Sequence, residues 1–341
     1  MKALRNFVAA AAALSLTAGL AWAGSNGRVG TSGASELRLP VGARSIALAG
    51  SDLAMVSGVE ALFYNPSGVA GTKNKTEVAF TNTRYIGDTD VNYIGVAQSL
   101  GGFGIIGVSA KVLSIGEIVQ TTENAPDGTG AIFSPTFSTI GLTYGKMMTD
   151  RVNFGGTLYY VSEKILQETS AGVAFDFGFQ YDTGVHGARF GVSVKSMGPN
   201  MGFSGSDFER IVAVPGDNPQ ASGRNMATQS ATYELPTSLQ MSVGLPLVVG
   251  VNPLTAFAAY NSNSFGKDEG RLGAEWTMRK TLSVRGGYVY SGDSNAMFQY
   301  TYGLGARVPF GASHVTIDWA AQPVHGGFFD DVQTISLGMT F

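Results

Sequence analysis

Cysteine is absent from the 341-residue chain. That excludes disulfides, cysteine-ligated metals and lipid attachment at a lipobox cysteine. Charge is scarce as well. Asp, Glu, Lys and Arg together make up 14% of the sequence, against roughly 25% in an ordinary soluble domain. Only three histidines occur, and none stands at a metal-ligand spacing from a carboxylate, so no metal and no cofactor is implied. The formal charge is −3 and no basic stripe is visible, which argues against nucleic acid as a partner. Beyond the first two dozen residues, no run reaches the roughly 18 uninterrupted apolar residues of a spanning helix. Glycine is abundant instead, with 47 residues, and aromatics make up 11%. Few charges, many glycines and many aromatics fit a β-barrel with an uncharged outer band.

The N-terminus carries an export signal. Lys2 and Arg5 form a positive n-region, Phe7 to Leu20 an apolar h-region, and Ala21-Trp22-Ala23 an A-x-A cleavage site. The apolar stretch is too short for a membrane anchor and lacks a stop-transfer flank. The mature chain is therefore expected to begin at Gly24, outside the cytoplasm.

The C-terminus is a two-faced strand. Ile335, Leu337, Met339 and Phe341 fall on one side and Thr334, Ser336, Gly338 and Thr340 on the other. The same alternation recurs upstream, as in Val173, Phe175, Phe177, Phe179 and Tyr181 against Ala174, Asp176, Gly178 and Gln180. It predicts strands near 76–83, 91–99, 102–113, 137–146, 151–163, 171–182, 186–196, 238–246, 253–263, 268–278, 281–290, 299–309, 312–321 and 332–341. The count is even, as a bacterial single-chain barrel requires. Links alternate in length. Met147–Asp150, Thr183–Val185, Arg279-Lys280 and Phe310-Gly311 are short, Lys164–Ser170 is intermediate, and Ser114–Thr136, Gly198–Thr237, Ser291–Phe298 and Pro323–Asp331 are longer. Short periplasmic turns and longer outer loops produce that phase, whereas a β-sandwich has no reason to keep it. The expected fold is all-β: a fourteen-stranded antiparallel transmembrane β-barrel in the bacterial outer membrane, surrounded by outer-membrane lipid. Tyr159, Tyr160, Tyr181, Tyr288, Tyr290, Tyr300 and Trp319 are expected to form its interfacial girdle.

Residues 24–75 do not alternate. Ser45 to Val56 has helix-like spacing. Asn65-Pro66-Ser67-Gly68 demands a turn, with a fixed φ from Pro66 and a permissive one from Gly68. A fourteen-strand barrel encloses more space than its own side chains fill, so this segment is expected to fold inside the lumen as a plug. The division is then 1–23 signal, 24–75 plug and 76–341 barrel.

Leu39–Ser51 (LPVGARSIALAGS) followed by Glu60–Ala70 (EALFYNPSGVA) resembles the N-terminal signature of PorV/PorQ-type proteins. These belong to the superfamily of the long-chain fatty-acid transporter FadL. Ser67 replaces the usual alanine and Val69 a common leucine. The resemblance implies an N-terminal hatch with its Asn-Pro turn, a fourteen-stranded barrel, and a terminal aromatic, here Phe341, read by the barrel-assembly machinery.

No catalytic constellation emerges. Gly102 to Gly107 matches G-x-G-x-x-G but leads into a strand, not the helix that a dinucleotide site needs. Ser313 and His314, considered with Asp318, are adjacent on a strand and so point to opposite faces. Asp88 and Asp90, or Asp330 and Asp331, read as solvated loop acids rather than calcium ligands. The strand charges are more informative. Asp176, Arg271, Glu275, Arg285, Arg307 and Asp318 all occupy the polar phase, so they are expected to face the lumen, pair with one another and pin the plug. Two functions fit. One is passive transport of a hydrophobic small molecule such as a fatty acid. The other, implied by the PorV likeness, is a role in type IX secretion, with the outer loops engaging an exported protein. A purely structural barrel is the third reading.

Overall fold

The computed structural model describes residues 28–72, 75–212, 224–292, 296–311, 313–326 and 329–341. The export signal at 1–23 lies outside the described residues. Fourteen long strands form the wall: β1 Thr76–Arg84, β2 Asp90–Ser99, β3 Ile105–Ser114, β4 Thr136–Thr149, β5 Val152–Ile165, β6 Glu168–Asp182, β7 Arg189–Met197, β8 Ser238–Val249, β9 Asn252–Asn263, β10 Glu269–Met278, β11 Leu282–Ser291, β12 Tyr300–Phe310, β13 Ser313–Gln322 and β14 Val332–Thr340. Each pairs antiparallel with its sequence neighbours. β1 pairs β14 from Glu77↔Thr340 to Arg84↔Gln333 and closes the barrel.

Burial follows the two-residue period that the sequence predicts. On β14, Thr334 and Ser336 are buried while Ile335 and Leu337 are about half exposed. Leu304 on β12 and Ile140 and Leu142 on β4 are likewise exposed on the outside. An apolar outer face around a closed ladder leaves no unpaired strand edge to lipid. This is a membrane-spanning barrel of the bacterial outer-membrane type.

One end carries tight turns, at 150–151, 250–251 and 279–281, and the other carries the long links. The outer links hold structure of their own. Ile118–Val119 pairs Ile132–Phe133, Glu209–Val212 pairs Arg224–Ala227, and Phe203–Gly205 adds to the upper edge of β6. The link expected at Lys164–Ser170 is tighter than predicted, because β5 and β6 continue to Ile165 and Glu168 and turn on Leu166 at φ 54. The β6–β7 ladder is interrupted. Its register shifts between Phe175 and Phe177, opposite a bulge where Ser196 takes φ 56.

The segment before β1 lies against the inner faces of the strands. It is a string of short helical turns: Ser35–Arg38, α1 Ala43–Ala47, Gly58–Glu60, α2 Ala61–Tyr64 and Pro66–Gly71. The helix expected over 45–56 is shorter and starts earlier. It stops because Ala49 and Gly50 turn left-handed, and the Gly50 N–H bonds back to Ser45 O at 2.8 Å. The segment's apolar residues pack in three clusters: the largest includes Val41, Leu53, Val56, Leu62, Tyr64 and Val69, a second takes Ala34 and Leu37, and a third takes Ala43, Ile46 and Ala47.

Candidate functional site: the plugged lumen

The plug is seated in rows of wall glycines. Gly145 on β4 is the direct partner of Gly155 on β5, which partners Gly178 on β6. A Cβ on Gly155 would overlap the Pro66 carbonyl, and one on Gly178 would overlap Asn65 Oδ1 and Ser67 N. The Asn65-Pro66-Ser67-Gly68 turn thus fits a notch made by removing three side chains. Asn65 caps the helical turn that follows, accepting from Ser67 N at 3.3 Å and Ser67 Oγ at 2.7 Å. Its Nδ2 donates to Leu53 O at 3.0 Å and Phe179 O at 3.3 Å. Pro66 takes the first helical position, where no N–H is needed. Gly68 departs from expectation. It is not among the glycines with positive φ, and its missing side chain makes room for the Val56 carbonyl instead. A second notch, at Gly273, Gly287 and Gly303, receives Leu48, Ser51 and Ala47.

A plug of short helical turns leaves many backbone groups that must find partners outside it. Wall side chains supply them. Gln180 Nε2 donates to Leu53 O and Val56 O at 2.9 and 3.0 Å. Ser242 Oγ donates to Ser51 O at 2.7 Å, and Thr301 Oγ1 to Ala47 O at 3.0 Å. Ser336 Oγ accepts from Ala43 N at 2.8 Å. Tyr159 OH donates to Leu62 O at 2.9 Å and the ring is buried. Tyr159 therefore belongs to the lumen, not to the aromatic girdle, whereas Tyr160, Tyr290 and Tyr300 are exposed outside.

The strand charges occupy several places. Glu275 accepts from Arg44 Nε at 2.8 Å and from Arg285 Nε at 2.9 Å. Arg285 Nη1 also meets Asp318 at 2.5 Å. Arg44, on α1, extends this network to Asp52 at 3.0 Å and Glu60 at 3.9 Å. Burial pushes the Glu60 carboxyl up to about 7 against the pull of Arg44. Asp176 lies elsewhere. It accepts from Ser196 N at 2.7 Å, capping the β7 bulge, with Lys195 at 4.0 Å. Arg271 donates twice to Glu269, at 3.0 and 2.6 Å, beside Gly50. Arg307 shares the lumen phase but stands below the network, exposed along the lower cavity.

Sequence reasoning missed Arg44, Asp52 and Glu60, which lie where no period marks a face. It also missed Lys111 and Lys195, although both stand in the polar phase of their strands. Lys195 Nζ donates to Phe63 O at 2.5 Å and lies 3.6 Å from the Phe63 ring centre. Lys111 Nζ donates to Glu36 O at 2.7 Å and Leu39 O at 3.2 Å, 4.7 Å from the same ring.

The plug divides the lumen. Beneath it is a cavity of about 720 Å³ with a mixed lining, bordered by Arg44, Glu60, Arg307 and His314 and by Val41 and Met55. Above α2, between Phe63, Tyr93, Lys111, Tyr159 and Lys195, only about 10 Å³ remains, the room of about one water. Above that, Leu37, Val161, Ala174, Met201 and Leu235 form a buried apolar cluster with Tyr233 at its edge. His314 lines the lower cavity and Asp318 is committed to Arg285. Among the described residues, no group of three or more His, Asp or Glu side chains is disposed to hold a metal.

No protein-family model matches the chain, and no curated protein matches its sequence. Solved structures do match its shape. The toluene transporter TodX of Pseudomonas putida superposes with a TM-score of 0.57 at 12% identity, over 88% of this chain and 97% of that one. The monoaromatic hydrocarbon channel CymD gives 0.53 at 11%, over 89% and 98%. A FadL homologue of Pseudomonas aeruginosa gives 0.52 at 13%, over 89% and 98%. The chain has the fold of the FadL-type channels: a fourteen-stranded outer-membrane barrel.

Proposed function

We propose that the chain is a passive outer-membrane channel for hydrophobic small molecules, in a closed state with the plug seated. The observation that carries this reading is the division of the lumen. A wide cavity of mixed polar and apolar lining opens below the plug, an apolar cluster lies above it, and the pocket between them has room for about one water. The outer loops present Val119, Ile132, Ile211 and Met226 to solvent, which suits capture of greasy solutes. Met201 and Leu235, from the 198–237 loop, lead inward from there to the plug. The fold likeness to hydrocarbon channels and to a FadL homologue supports the same reading. Whether the solute is a fatty acid or a smaller hydrocarbon follows from which of them competes.

Proteoliposomes test it. Purified barrel is expected to admit a labelled long-chain fatty acid or a monoaromatic hydrocarbon faster than protein-free liposomes, and Leu235→Lys is expected to slow that entry. Absence of entry for both solutes, together with capture of exported proteins by the outer loops, would replace this reading with the PorV-like secretion role.

A further inference from the structure

The lipid-facing rows of the wall carry almost no charge. Among the described strand residues, the outward positions hold Arg84 and Asp90, direct partners at the outer end of β1 and β2, and Lys164 at the outer end of β5. The remaining one is Lys146. It stands three residues from the tight-turn end of β4, which is the periplasmic end of such a barrel. Its neighbour Gly145 faces the plug, so Lys146 faces out, and it is exposed. No hydrogen bond, ion pair or ring contact holds its ammonium among the described residues. A lysine on a lipid face is tolerated near the headgroups, where its stem lies along apolar surface and its ammonium reaches the phosphates.

Lys146 is set in aromatic surface. Its direct partner on β5 is Phe154, which pairs in turn with Phe179 on β6. Tyr144, two residues along the same outer face, donates its hydroxyl to Phe103 O at 2.6 Å, and the two rings stand 5.5 Å apart. Phe103, Tyr144 and Phe154 are all exposed. Towards the outer end the face opens into a shallow groove. Tyr144 pairs with Gly156 on β5, and Gly156 with Phe177 on β6. The missing side chain leaves a gap between two exposed rings, continued by exposed Leu158. A Cβ on Gly156 would meet only Asp176 O and the Phe177 ring, at 3.6 Å or more, so the gap is open on the lipid side. Gly155 differs, because Pro66 fills its space from inside. At Gly155-Gly156 the wall is backbone alone, covered inside by the plug turn and bare outside.

We propose that this face holds an acidic phospholipid of the periplasmic leaflet, with its phosphate at Lys146 and an acyl chain along the Gly156 groove. The inference rests on the barrel and not on the channel reading. A lipid is the occupant because a cation at headgroup level leads directly into an apolar groove, the same order of polar and apolar parts as in a phospholipid. The Tyr144 hydroxyl marks the same interfacial level. The headgroup is acidic because the outward positions of β3 to β7 offer no carboxylate to take the ammonium of a zwitterionic lipid. The first acid below Lys146 is Asp150, in the turn. One lysine beside an anionic headgroup favours it about fivefold over a neutral one.

Native mass spectrometry of the refolded chain tests the site, with phosphatidylglycerol and phosphatidylcholine of the same acyl chains offered in equal amounts. The wild type is expected to retain phosphatidylglycerol over phosphatidylcholine by about fivefold. Lys146→Ala is expected to abolish that preference, while Lys164→Ala, at the outer end, keeps it. Gly156→Leu, which fills the groove, is expected to lower retention of both lipids severalfold, and Gly286→Leu, at a lipid-facing glycine on β11, is not. Equal retention of the two lipids by the wild type, a preference that survives Lys146→Ala, or retention untouched by Gly156→Leu overturns the proposal. So does a lipid-free dimer that Gly156→Leu dissociates, since a second copy would then cover this face. Should a variant fail to fold, the wild type at raised ammonium acetate decides: loss of the preference supports headgroup pairing, and its persistence overturns it.

Discussion

The side-chain oxygen of Asn65 occupies the place where a Cβ of Gly178 would stand. The plug turn and the wall of β6 are thus fitted atom against atom. Gly178→Ala is expected to unseat the turn, at about 1–3 kcal/mol for overpacking, while Gly102→Ala, with open space around it, changes nothing. Ion leak through reconstituted barrel, read beside the temperature at which it unfolds on a gel, separates plug from wall.

Arg285 joins Glu275 and Asp318 with its side chain 6% exposed. Arg285→Ala leaves both carboxylates short of a partner and is expected to weaken plug docking by about 3 kcal/mol. Protease cleavage of the 28–72 segment should accelerate in this variant while membrane insertion holds. Arg307→Ala, below the network, should cleave at the wild-type rate.

Leu304 projects from β12, 55% exposed, between the inward Gly303 and Gly305. Leu304→Arg places a charge in lipid and is expected to cost about 2–4 kcal/mol near mid-depth. A loss of folded barrel on vesicle insertion checks the register; unchanged insertion would mean that this strand is shifted by one residue.

Phe341 pairs with the start of β1, its N–H donating to Thr76 O at 2.9 Å, and its side chain stays 55% exposed. If the assembly machinery reads that aromatic, Phe341→Ala should reduce the amount of barrel assembled in cells several-fold. The unfolding temperature of the barrel that does assemble should be unchanged.

The wall was legible because lipid on one side and lumen on the other impose a period of two, and a strand such as Val173 to Tyr181 displays it residue by residue. Asp176, Glu275, Arg285 and Asp318 could be placed by that phase alone. Their partners could not. Arg44, Asp52 and Glu60 lie in short turns, Asp52 buried and the other two edging the lower cavity, where no periodicity separates faces. Tyr159 was misplaced because a tyrosine beside Tyr160 suits either a girdle or a lumen, and only its bond to Leu62 O decides. The glycines were read as composition. Their meaning lies in cross-strand register, which aligns Gly145, Gly155 and Gly178 into a seat for the plug.

The central claim is that movement of the plug admits a hydrophobic solute. Ala47→Cys on α1 with Ala320→Cys on β13, which pack together in one buried cluster, in a chain that has no other cysteine, allows the plug to be tied to the wall by oxidation and freed by reduction. Uptake of a hydrophobic solute by proteoliposomes carrying this variant is the direct measurement. The account predicts uptake when reduced and its loss when oxidised; equal uptake in both states would contradict it.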